Sequence, residues 1–221
     1  MRLKASGAGL RVSGGLPAGP RGRPRRAFSA LYFLGLAVEM AIRAPHERRR
    51  GRARVVDDRV DGRERALLGL ALVGMAVLPL VYRLTPWLDG ADYRMPPETE
   101  WRAGGVGAAV LALALWLFWR SHADLGRNWS PSLQIRDGHE LVTGGVYSRV
   151  RHPMYASEWL WGVAQALLLQ NWIAGPSTLA LFSPLYFSRV RREEQMMLDR
   201  FGEAYGDYMD RTGRVVPRLR G

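Results

Sequence analysis

A chain of 221 residues suits one domain, and the absence of cysteine excludes disulfides, thiolate zinc sites and cysteine nucleophiles together. The formal net charge of +12 leaves nucleic acid or a membrane surface as partners. The 48% hydrophobic content decides between them, because it is gathered in runs at about 28–42, 66–82, 104–119 and 156–188 with arginines filling the stretches between. Basic residues flanking apolar spans answer to anionic headgroups, so membrane lipids are the expected partner and nucleic acid is not. His46, His122, His139 and His152 show no paired ligand spacing, and no metal is expected.

Residues 1–26 are rich in glycine, proline and arginine, carry too little apolar surface to fold, and are expected to form a disordered basic tail. The run 28–42 is short and carries Glu39. It ends in Glu39-Met40-Ala41-Ile42-Arg43 with no small-residue cleavage site, so it reads as a signal anchor rather than a cleaved signal. A bilayer crossing needs roughly 20 apolar residues, which 66–84 and 104–119 with their flanks supply. The segment 43–65 holds arginines at 43, 48, 49, 50, 52, 54, 59, 63 and 65, whereas 85–103 holds only Arg94 and Arg102. The positive-inside rule therefore puts the first loop in the cytoplasm, the second outside, and the polar stretch 120–155 back inside. The apolar stretch 156–187 would make a helix of roughly 48 Å, too long for one crossing. Gln170, Asn171 and Gly175-Pro176 interrupt it, which predicts a hairpin of two helices and returns the chain to the cytoplasm at Arg189. Five spans then leave the N-terminal tail outside, against its own positive charge. Either the first run lies in the interface or its tail is overruled by the more basic loop behind it; the sequence leaves both open. No repeat of 20 to 50 residues is visible.

The polar segments on either side of the hairpin meet at one membrane face. The first contains Leu141-Val142-Thr143-Gly144-Gly145-Val146-Tyr147 and then Arg151-His152-Pro153-Met154-Tyr155; the second contains Arg191-Arg192-Glu193-Glu194, then Phe201-Gly202, Tyr205 and Tyr208. Taken singly these residues have ordinary explanations. Arg151 and Tyr155 suit a membrane boundary, Arg189 and Glu193 form an i, i+4 pair on a solvated face, and Phe201, Tyr205 and Tyr208 suit interfacial anchors.

Their order along the chain resembles that of the isoprenylcysteine carboxyl methyltransferases and the related bacterial phospholipid methyltransferase-like membrane proteins, over about residues 120–217. The resemblance implies an all-α polytopic integral membrane helix bundle with about five spans, the last two forming a helical hairpin, and a cytoplasmic C-terminal helical cofactor-binding segment. It divides the chain into the tail 1–26, N-terminal transmembrane spans 27–119 and a methyltransferase-like core 120–221. The implied cofactor is S-adenosylmethionine, held by Gln134, His139, Leu141, Val142, Tyr147, His152, Pro153, Tyr155 and Glu193, with Arg189 and Glu193 catalytic and Arg189 facing the substrate. Many relatives carry glycine where Ser157 stands here.

The chemistry of that cofactor suits these residue types. Glu193 can hold a ribose hydroxyl or the amino group, amides near Pro153 can meet the carboxylate, and Tyr147 or Tyr155 can present a ring face to the sulfonium. The implied substrate is a lipid or a lipophilic molecule bearing a carboxylate, phosphate, amine or thiol, entering sideways between spans, with Glu39 a candidate for the entrance. No obligate protein partner is expected, and the arginine-, alanine- and glycine-rich composition suggests a bacterial inner membrane with the cofactor site facing the cytoplasm. Two other readings stand beside this one: an NADPH-dependent membrane reductase related to the sterol reductases, and a non-catalytic membrane protein that keeps the fold.

Overall fold

The computed structural model describes residues 23–50, 55–130, 134–136 and 138–218. Helix α1 (Arg23–Arg50) takes in the last four residues of the expected tail, and 1–22 lie outside the described residues. It also runs eight residues past Ile42, through Pro45. Next come a short strand β1 (Val55–Asp58) and helix α2 (Gly62–Leu72), which Asp61 caps by accepting from the Glu64 amide at 2.7 Å. A π turn (Val73–Val77) joins α2 to α3 (Leu78–Leu84), so that 62–84 run on as one rod. Helix α4 (Pro97–Leu125) stops at Gly126, whose φ of 55° lies in the left-handed region. Strand β2 (Gln134–Arg136) pairs antiparallel with β1, an addition to the all-helical architecture that the sequence pattern does not announce.

The expected hairpin is α5 (Pro153–Leu169) and α6 (Ser177–Phe201), broken at the polar and Gly-Pro residues. Gln170 takes a left-handed conformation, φ 51°. Helix α6 continues from its apolar half into the charged segment beyond Arg189, and α7 (Glu203–Arg211) follows a turn at Gly202.

Among the described residues, three helical rods are long and apolar enough to cross a membrane, Pro24–Arg48, Gly62–Leu84 and Pro97–Asn128, and they make the chain an integral membrane protein. Helix α5 has 17 residues and rises about 25 Å, and α6 turns polar halfway, so neither joins that set. Small residues bring the helices close: a Cβ on Gly107 of α4 would meet Leu167 of α5 at 2.9 Å. Where the π turn opens the helical ladder, the Gly74 carbonyl accepts from Gln165 Nε2 at 3.1 Å and Ser177 Oγ at 2.7 Å, and the Met75 carbonyl accepts from the Tyr32 hydroxyl.

The two ends of the bundle differ. At one, Arg25 pairs with Asp92 at 2.8 Å and with Glu100, while Asn171 donates to the Leu88 carbonyl at 2.7 Å, tying the start of α1 to the 85–96 segment and the hairpin turn. Helix α1 therefore traverses the bundle rather than lying across it, and carboxylates neutralise Arg25 at the end where positive charge is otherwise scarce. At the other end sit the β1–β2 ribbon, the 126–152 segment, the polar half of α6, and α7.

Candidate active site

A cavity of about 280 Å³ opens at this second end and reaches between the helices. All ten residues singled out from the sequence line it: Gln134, His139, Leu141, Val142, Tyr147, His152, Pro153, Tyr155, Arg189 and Glu193. They come from β2, the loop behind it, the first turn of α5 and the middle of α6, and a turn or a helix separates each of these segments from the next.

Each segment is fixed locally. The Asn128 side chain accepts from the Glu140 amide at 3.0 Å, placing Leu141 and Val142 against the opening. Asp124 accepts from the Val146 amide at 2.9 Å, and Gly145 supplies the positive φ of 60° that the turn requires. The chain after α7 then lies alongside 149–152: the amides of Arg151 and His152 donate to the carbonyls of Gly213 and Arg214 at 2.8 and 2.9 Å. Those two amides are therefore spent, and any amide offered to an anion comes from α5 beyond Pro153.

Glu194 is the hub of the site, although the sequence offers it only as a counter-charge. It is 4% exposed, accepts from Arg151 Nε at 3.1 Å and Arg214 Nε at 3.0 Å, and faces His152 Nε2 at 3.3 Å. Burial acts to raise its carboxyl, but the hydrogen bonds and charges of His152 and Arg214 outweigh that and hold it at about 2. Arg151 also donates to the Met209 carbonyl at 3.0 Å and to that of Thr212. It is an internal clamp, not a snorkelling residue, because these acceptors lie inside the fold. Tyr205 and Tyr208 depart from the interfacial-anchor reading in the same way: both are buried on the cavity wall, and the Tyr208 hydroxyl donates to the Tyr147 carbonyl at 2.7 Å.

Around this hub, Tyr155 donates to Glu193 Oε2 at 2.6 Å and stacks on His152 with ring centroids 5.4 Å apart. Burial pushes the Tyr147 hydroxyl well up, so it is a neutral donor there. His139 lies beside Phe201 at 6.1 Å, and burial, then the Arg200 charge, lowers its pKa. Ser157 is buried and turns its hydroxyl back to the Met154 carbonyl at 2.6 Å, satisfying itself within α5. Arg189, 8% exposed, lies 3.7 Å from Glu64 and 4.0 Å from Glu193, and its Nε has no hydrogen-bond partner among the described residues.

Deeper in, the wall becomes apolar: Leu68, Ala71, Leu72 and Met75 from the second rod, Phe118 from α4, and Phe182 and Leu185 from α6. Among the described residues, three charged side chains interrupt it, Glu39 and Arg43 of α1 and Glu158 of α5. Glu39 is legible as a candidate for this wall from sequence. Glu158 is not, since nothing separates it from its apolar neighbours except the charge itself.

Residues 106–199 match the model of the isoprenylcysteine carboxyl methyltransferase family. Protein-S-isoprenylcysteine O-methyltransferase of Tribolium castaneum is 32% identical over 127 residues, 56% of this chain and 44% of that protein. The human enzyme of the same name is 34% identical over 98 residues, 43% and 34%. The nickel-cobalt-cadmium resistance protein NccN of Alcaligenes xylosoxydans xylosoxydans is 32% identical over 123 residues, 55% and 56%. The solved structure of the eukaryotic intramembrane Ras methyltransferase ICMT superposes with a TM-score of 0.51 at 25% identity, covering 74% of this chain and 56% of that one. The matched part thus spans between a third and just over half of these relatives' length. The segment 106–199 that matches the isoprenylcysteine carboxyl methyltransferase family model contains all ten of the cavity residues singled out from the sequence.

Proposed function

We propose that the protein is a membrane-embedded methyltransferase that takes S-adenosylmethionine into the polar end of the cavity and a lipophilic acceptor into its apolar end. The observation that carries this reading is the convergence of ten residues from separate segments on a single cavity that is polar at the bundle end and apolar within.

The residues suit the cofactor. Its amino group and ribose hydroxyls call for an acid, which Glu193 provides with its orientation fixed by Tyr155. Its adenine calls for an apolar slot, which Leu141, Val142, Met196 and Met197 supply. S-adenosylmethionine, when bound, supplies a methyl group already activated on a sulfonium, so the protein's share is positioning and exclusion of water. Tyr155 and His152 form a stacked face that would meet the cation, and Arg189, with an uncommitted Nε, would orient the acceptor. His152 and Arg151 are held by Glu194, which itself stays behind the wall and acts as a positioning residue.

In this reading residues 27–119 form the scaffold of spans and 120–221 the catalytic core, with α4 continuing across that boundary. The hairpin adds two shorter crossings to the three long rods, giving five in total, and the cavity mouth faces the arginine-rich, cytoplasmic side. The acceptor enters from the lipid between α1, the second rod and α6. Calorimetric titration of the purified protein with S-adenosylhomocysteine, alongside NADPH, tests the assignment. Saturable binding of the first alone is expected; binding of NADPH alone would move the protein to the reductases, and binding of neither to a non-catalytic role.

A further inference from the structure

The charged side chains in the apolar end of the cavity are not needed by the cofactor and are poorly matched to one another. Glu39 is 4% exposed, faces the cavity, and has an Oε2 atom with no hydrogen-bond partner among the described residues. It shares with Glu158 both this wall and a small adjoining recess lined by Ala114, Phe118, Ser157 and Trp161, and the two carboxyl groups interact electrostatically. Arg43 offsets one of them but lies over the Phe118 ring at 5.8 Å, and its Nε hydrogen-bonds to neither acid. Arg189, the next guanidinium along the cavity, already stands between Glu64 at 3.7 Å and Glu193 at 4.0 Å. At this apolar end, among the described residues, Glu39 and Glu158 therefore share the single guanidinium of Arg43. A desolvated carboxylate inside a membrane bundle requires a cation or a strong donor to face it, and an anionic ligand placed there would meet like charge.

We propose that Glu39 and Glu158 form the head-group site for the acceptor, and that the acceptor is an aliphatic or isoprenoid chain bearing a basic nitrogen. This narrows the methyltransferase reading and rests on it for the purpose of the site, but not for its existence. The chain occupies the slot between Leu72, Met75, Phe182 and Leu185, and the head group binds the acid pair as an ammonium; a carboxylate of the pair takes its proton, and the freed nitrogen lone pair forms the N–C bond as the S–C bond of the sulfonium breaks to leave the neutral thioether.

The test titrates the full purified chain in detergent with dodecylamine, dodecanol and dodecanoate, each below its micellar concentration, and measures S-adenosylhomocysteine binding separately. Dodecylamine should bind about tenfold or more tighter than either of the others, and Glu39→Gln and Glu158→Gln should each remove that preference. Both variants should keep the S-adenosylhomocysteine affinity of the parent, which also reports that they are folded. Equal binding of the three head groups, or an amine preference that survives both substitutions, would overturn the inference; the first of these is read in the wild-type protein even if a variant fails to fold. Cofactor-analogue binding without amine preference defeats this inference alone, whereas amine preference without cofactor-analogue binding defeats methyl transfer and leaves the amine site standing.

Discussion

Two buried polar clusters lie within the same helix bundle, and they are built on opposite principles. In the first, Gln165 is fully buried and both polar atoms of its amide are used: Nε2 donates to the carbonyls of Gly74 and Ala174 and to Ser177, while Oε1 accepts from Tyr32 at 2.7 Å and Thr178 at 2.6 Å. In the second, the cavity, Glu39 Oε2 and Arg189 Nε are buried without hydrogen-bond partners among the described residues, although charged neighbours stand close by. A satisfied network holds helices together; an unsatisfied one holds a place for something else. Substitutions in the first should therefore cost stability, and those in the second should cost binding.

The largest effect is expected where the two principles meet, at Glu194, which is satisfied itself and supports the cavity wall. Glu194→Ala strands Arg151 among carbonyls and should cost about 3–5 kcal/mol, measured as thermal or denaturant unfolding in detergent. Gln165→Leu leaves the Gly74 and Ala174 carbonyls to share the one Ser177 hydroxyl, removes the acceptor of the Thr178 hydroxyl, and should cost about 1–3 kcal/mol, with ligand binding intact in the fraction that remains folded. A smaller and graded effect is expected from acid. Because the Glu194 carboxyl is held at about 2, below its ordinary value of 4.5, its contribution is present above pH 4.5 and fades as pH falls from 4.5 toward 2. Unfolding temperatures measured from about pH 6 to about pH 3 should fall less steeply for Glu194→Gln than for the parent. The smallest effect is expected outside both clusters: Glu98 and Arg102 pair at 2.6 Å but are 75% and 77% exposed, and Glu98→Ala should change stability by less than about 0.5 kcal/mol.

The same contrast explains what the sequence makes legible. The hairpin break is readable because Gln170, Asn171, Gly175 and Pro176 are residues that a continuing apolar helix does not carry, and the structure uses them as a left-handed C-cap and turn. The line of cavity residues is readable through their order along the chain, which is what the family resemblance rests on. The satisfied elements are harder to see. The π turn at Val73–Val77 follows from partners more than 90 residues away, Gln165 and Ser177, that no local pattern announces. The β1–β2 ribbon joins two short segments from either side of two spans, and α1 continues through Pro45 into an arginine-rich stretch whose composition reads as loop. Glu194 escapes a sequence reading for the complementary reason: its partner Arg214 lies 20 residues on, beyond a second helix, and only the fold brings them together.

Measuring S-adenosylhomocysteine affinity and unfolding temperature together in Glu193→Gln and His152→Ala distinguishes a binding site at the cavity's polar end from a structural charge cluster. Binding should fall by about tenfold or more in both, while Glu193→Gln unfolds within about 0.5 kcal/mol of the parent. Undiminished binding in folded Glu193→Gln protein would instead make the polar end a structural charge cluster.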